Sequence, residues 1–141
     1  MRNKFTSLVA ACWFAVGAIS VTQAEVVIIV NPGFAGSSIS KADFVNLYMG
    51  RATSFPGGGK ATPLELGEGA VRDSMLSTYL GKTSDQMSQI WSRLVFSGNA
   101  KPLEKMDSDK AMVARVAADA SAIGYVDANS VDSSVKVISV Q

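Results

Sequence analysis

Histidine is absent from all 141 residues, and the one cysteine is Cys12. These absences exclude metal centres built on imidazole or thiolate, and the Ser-His and Cys-His pairs of nucleophilic enzymes. Asp127 and Asp132 do not replace them, because neither has a neighbour with a defined catalytic role and a loop between strands explains both. The chain therefore reads as a non-enzyme without a cofactor. Neither charge sign dominates, with 13 basic against 12 acidic residues and no basic cluster. Nucleic-acid binding has no electrostatic basis in such a chain.

What is present begins with a leader. Arg2 and Lys4 precede an apolar run from Leu8 to Val21, and Val21-Thr22-Gln23-Ala24 supplies small residues ahead of Glu25. That order predicts a secretory signal over residues 1–24, cleaved after Ala24. The run is too short for a confident membrane span, so no stable span is expected after cleavage. Val9-Ala10-Ala11-Cys12 has the look of a lipobox, but it stands too early in the apolar run and ranks below ordinary cleavage. Cleavage leaves 117 residues with 11 basic and 12 acidic side chains and no thiol. This is one domain, residues 25–141, with one modest core in a periplasmic setting.

Within that domain Val26 to Val30 is a continuous β-branched run, the pattern of a strand covered on both faces. Ser40 with Asp43 opens a helix carried by Phe44, Leu47 and Tyr48. Ala61 to Leu66 reads as a second strand, and Gly67-Glu68-Gly69 leads from it into a helix bearing Val71, Met75, Leu76, Tyr79 and Leu80. Thr83 or Ser84 caps a further helix, whose stripe of Met87, Ile90, Trp91, Leu94 and Val95 reads as core. Asp107 or Ser108 starts a last helix, and Ala122 to Val126 and Val135 to Ile138 close as strands. The order predicts an α/β fold: a small, mostly parallel sheet covered by helices.

The chain resembles phosphate-type periplasmic substrate-binding proteins of ABC transporters, as a short, single-lobe relative. The resemblance is carried by Val27 to Asn31, then Ser40-Lys41-Ala42-Asp43-Phe44, Leu47 to Arg51 and Phe55-Pro56-Gly57-Gly58. It continues through Trp91 to Gly98 and Ala122 to Val126. It implies a single substrate-binding-protein-like lobe and a small oxyanion ligand such as phosphate, with a transporter or another envelope protein as partner. It also implies a Ser-Gly-Thr type motif at a helix start. The corresponding place is Gly67 to Arg72, where the hydroxyls are missing and Glu68 adds a negative charge.

Two readings stand at each candidate residue. Gly67 and Gly69 leave a helix N-terminus open to an anion, with Arg72 adding charge, or Glu68 satisfies the same dipole and Arg72 is solvated. Ser37 and Ser38 donate to an oxyanion, or shape the turn before Ser40. Arg51 and Lys60 border loops and read as solvent-facing. If an anion binds, the expected site has Gly67, Gly69 and Arg72 facing Ser37 and Ser38 across the strand ends. The expected function is thus an exported solute-binding-like module. The alternative is an envelope interaction module of the same fold without a small ligand.

Overall fold

The computed structural model describes Gly17 and residues 24–141, so the leader, Cys12 and the cleavage sequence lie outside the described residues apart from Gly17 and Ala24. Six strands form one sheet: β1 (Val26–Val30), β2 (Ser38–Ile39), β3 (Thr62–Leu66), β4 (Glu104–Met106), β5 (Ala122–Asp127) and β6 (Lys136–Val140). Their order across the sheet is β2-β6-β1-β5-β3-β4. Three of the five interfaces are parallel, β2 with β6, β5 with β3 and β3 with β4. The two made by β1 are antiparallel, with Ile28 opposite Tyr125 on one side and Ile138 on the other. The chain's first strand therefore ends in the middle of the sheet, which explains its uninterrupted apolar sequence: Ile28, Ile29 and Val30 are all buried.

Among the described residues four α-helices accompany the sheet: α1 (Lys41–Tyr48), α2 (Ala70–Met75), α3 (Ser84–Phe96) and α4 (Asp109–Ala118). Their starts follow the sequence closely. The Ser40 hydroxyl accepts from the Asp43 amide, Thr83 and Gln86 form a reciprocal capping box, and Ser108 accepts from Ala111. Helix α2 runs directly into a π-helical turn, Leu76–Leu80, ended by Gly81 in the left-handed conformation.

Helices lie on both faces. A methyl group on Gly124 would meet the Met112 sulfur at 2.5 Å, so this glycine is what lets α4 approach β5. The next side chain, Tyr125, points to the opposite face. There its ring meets Tyr48 of α1 at 6.1 Å between centroids.

These two tyrosines also repair a gap in the sheet. The ladder between β3 and β5 pairs only Thr62 with Ala122 and Pro63 with Ile123. Pro63 has no amide to donate, and beyond it the strands part. The Tyr48 hydroxyl donates to the Leu64 carbonyl at 2.8 Å, and the Tyr125 hydroxyl accepts from the Leu66 amide at 2.9 Å. Burial pushes both phenols above the ordinary tyrosine range, so they remain protonated at neutral pH. Tyr125→Phe should remove the partner of a buried amide without opening a cavity. The expected loss is about 1–3 kcal/mol, read as a lower urea midpoint with an unchanged slope.

Candidate functional site

The sequence brings five residues forward as ligand contacts, and the sheet order divides them. Gly67 and Gly69 follow β3, and Arg72 lies in α2. Ser37 precedes β2 and Ser38 lies in it, on the opposite margin of the sheet. Four strand spacings separate β2 from β3, roughly 19 Å at about 4.8 Å each. That exceeds the reach of one small oxyanion, so the expected facing of the two groups is corrected. The serines do shape the chain before α1. The Ser139 amide donates to the Ser37 carbonyl at 3.1 Å, and Ser38 pairs with Ser139 in the ladder. The Lys136 ammonium donates to the Phe34 and Gly36 carbonyls and fixes the preceding loop.

At the other group, Gly69 caps α2 with no side-chain hydrogen bond. The first-turn amides of α2 are therefore left without a side-chain acceptor. They border a depression of about 170 Å³ lined in part by Glu68, Asp107 and Asp109. Asp109 is already engaged, accepting from the Asp127 amide at 3.0 Å and the Ser130 hydroxyl at 2.8 Å. Glu68 and Asp107 are exposed. The charge around this helix start is thus negative, opposing an anion that the amides alone would attract.

Arg72 does not offset it. The expectation of a solvated or anion-facing side chain gives way to a buried one, 5% exposed. Its Nη1 donates to the Ser84 hydroxyl at the start of α3, and its Nη2 lies 3.7 Å from Glu65 of β3. Lys105 of β4 approaches the other Glu65 oxygen at 3.8 Å from a largely exposed position. Burial pushes the Glu65 carboxyl up from its usual range, against the opposing pull of Arg72 and then Lys105. The Arg72 Nε has no hydrogen-bond partner, alone among buried side-chain nitrogens and oxygens of the described residues.

The sequence carries one sign of this arrangement. Glu65 stands between the buried Leu64 and Leu66, and Arg72 is the first basic residue after it. A carboxylate within a covered strand needs a cation close in the fold.

Helix α3 departs further from expectation. Its apolar stripe reads as core, yet only Met87 is buried, and Ile90, Trp91 and Leu94 are half-buried. The Trp91 indole nitrogen donates to the Tyr48 carbonyl at 3.1 Å, and its ring edge lies over Gly50. Gly50 has a φ of 71° and a side chain there would strike Trp91 and Leu94, so glycine is required on both counts. Beyond this contact α3 runs out over open space: Val95 is 38% exposed and Phe96 96%. Between α3 and the chain entering β4 lies a groove of about 660 Å³, with Glu65, Arg72 and Lys105 among its lining residues. Among the described residues no cluster of three or more acidic residues, histidines or cysteines is placed to hold a metal. No described helix is long and apolar enough to cross a membrane.

Arg72→Ala should act first on stability, since it strands Glu65 inside the structure. The expected cost is about 3 kcal/mol by chemical denaturation. Arg72→Ala with Glu65→Gln should recover part of it, because the uncompensated carboxylate is then gone. Equal midpoints for the single and double variants would contradict the pairing.

No protein-family model matches this chain, and no curated protein is significantly similar to it. Solved structures do match. An ABC-type phosphate transport receptor from Vibrio cholerae is 18% identical with a TM-score of 0.56, over 82% of this chain and 45% of its own. A chain described as a phosphate ABC transporter substrate-binding protein from Clostridium perfringens, with phosphate bound, is 17% identical with a TM-score of 0.65, over 83% and 45%. PstS from Borrelia burgdorferi is 14% identical with a TM-score of 0.64, over 84% and 47%. The chain spans a little under half the length of the structures it resembles. The mixed sheet with helices on both faces is thus the fold of substrate-binding proteins, matched over about half of their length.

Proposed function

We propose that the protein is an exported, non-enzymatic module of solute-binding type whose described lobe offers one open wall of a site. The observation that carries this reading is the fold match, which covers most of this chain and under half of structures described as phosphate receptors. The described lobe supplies one wall, so its own affinity for a small ion is low unless another surface completes the site. An ABC-type transport or sensing component of the envelope is the partner that this fold suggests.

Phosphate is the finer part of the reading. Its candidate place is the α2 start at Gly69, where the first-turn amides lack a side-chain acceptor and Glu68 opposes an anion, while the Gly67 amide is already given to the Met106 carbonyl at 3.2 Å. Arg72 contributes little there because Glu65 and Ser84 hold it. Calorimetry and thermal shift with phosphate and sulfate should give millimolar affinity that falls with added salt. Glu68→Gln should tighten binding about twofold to fivefold. Sub-micromolar binding by the isolated chain would contradict an open wall. The absence of any shift with either ion, in wild type and Glu68→Gln alike, would favour the second reading. That reading is an envelope interaction module without a small ligand, and the exposed Val95 and Phe96 speak for it.

Export is part of the same proposal. The protein recovered from the envelope fraction should have the mass of Glu25 to Gln141. A mass retaining Met1 to Ala24, or a lipid on Cys12, would overturn it.

A further inference from the structure

We propose that the groove beside α3 is a binding site for a small organic acid, one carboxylate carried on an aryl or branched-alkyl body. This rests on the solute-binding reading but not on phosphate. The groove's volume, about 660 Å³, is in the range of small-molecule sites. Trp91, Val95, Phe96 and Leu103 give it apolar walls. Phe96 is almost wholly exposed at its rim, a cost that an apolar ligand would relieve.

The floor sets the sign of the ligand. Two cations, Arg72 and Lys105, share the single carboxylate of Glu65, leaving an excess positive charge. Arg72 is 5% exposed, lines the groove and keeps one N–H without a partner. A guanidinium that shares its one carboxylate with a second cation is favoured by another carboxylate placed beside it, which balances the charge. One negative charge neutralises the cluster. Inorganic phosphate brings more charge beside Glu65 and no apolar body for the walls.

Trp91 makes the groove observable. The only other tryptophan is Trp13, so a Trp13→Phe background leaves Trp91 as the sole emitter whether or not the leader is removed. The full-length gene product carrying that change is isolated and titrated with 4-phenylbutyrate and with its neutral amide. The acid should change Trp91 emission saturably, and the amide should bind about tenfold more weakly. Lys105→Gln should weaken the acid about fivefold and leave the amide unmoved. Phe96→Ala should weaken both about tenfold. Lys105 and Phe96 are exposed, and an unchanged melting temperature will show that neither variant unfolds the protein.

Equal binding of acid and amide would overturn the charge assignment, and no saturable change up to about 10 mM acid would overturn the site. A phosphate-induced thermal shift without any Trp91 response would sink this proposal while leaving the solute-binding reading intact. Silence with phosphate and with both probes would remove the two together.

Discussion

Arg72 is the pivot on which this molecule's arrangement turns. From α2 it reaches the carboxylate of β3 and the first residue of α3, joining three elements through one side chain. A guanidinium taken so far out of water must be paired, and the pairing fixes where α3 leaves the body of the protein. From that start α3 is held by the buried Met87 and then by Trp91, which meets Tyr48 and Gly50. The outer part of the helix then stands away from the sheet, and the space beneath it is the groove. Core stability and the open apolar surface are thus two results of one buried charge.

The same charge explains why likeness of fold does not carry likeness of site. At the α2 start, the amides of a helix end are present, but the cation nearest in sequence faces inward. Carboxylates from two loops stand there instead. Electrostatics at a helix start fall off within one turn, so Glu68 and Asp107 weigh more there than a guanidinium held elsewhere. A fold matched over half of a longer receptor leaves its ligand chemistry to be argued from such local groups.

What the sequence made legible follows the range of the forces involved. Helix starts at Ser40, Thr83 and Ser108 depend on neighbours three residues away, and they stand where their side chains say. The apolar run at Val26–Val30 announces a covered strand. Pairing across the sheet was not legible, because nothing local tells β1 to lie between β5 and β6. Without that order, local sequence places no distance between Ser37 and Ser38 on one side and Gly67 on the other. The two short strands, β2 and β4, were also hidden, since two and three residues give no period to read. The stripe on α3 correctly marks an amphipathic helix, but amphipathicity cannot say whether a neighbour covers the whole stripe.

Those two short strands form the margins of the sheet. A long, flat margin presents unpaired amides and carbonyls that invite strands from other chains. Here one margin is Ser38–Ile39, which passes almost at once into α1, and the other is Glu104–Met106, with Glu104 paired to Arg115 and Lys105 charged. Neither gives a foreign strand more than a few bonds. The described sheet is thereby guarded against edge-to-edge aggregation.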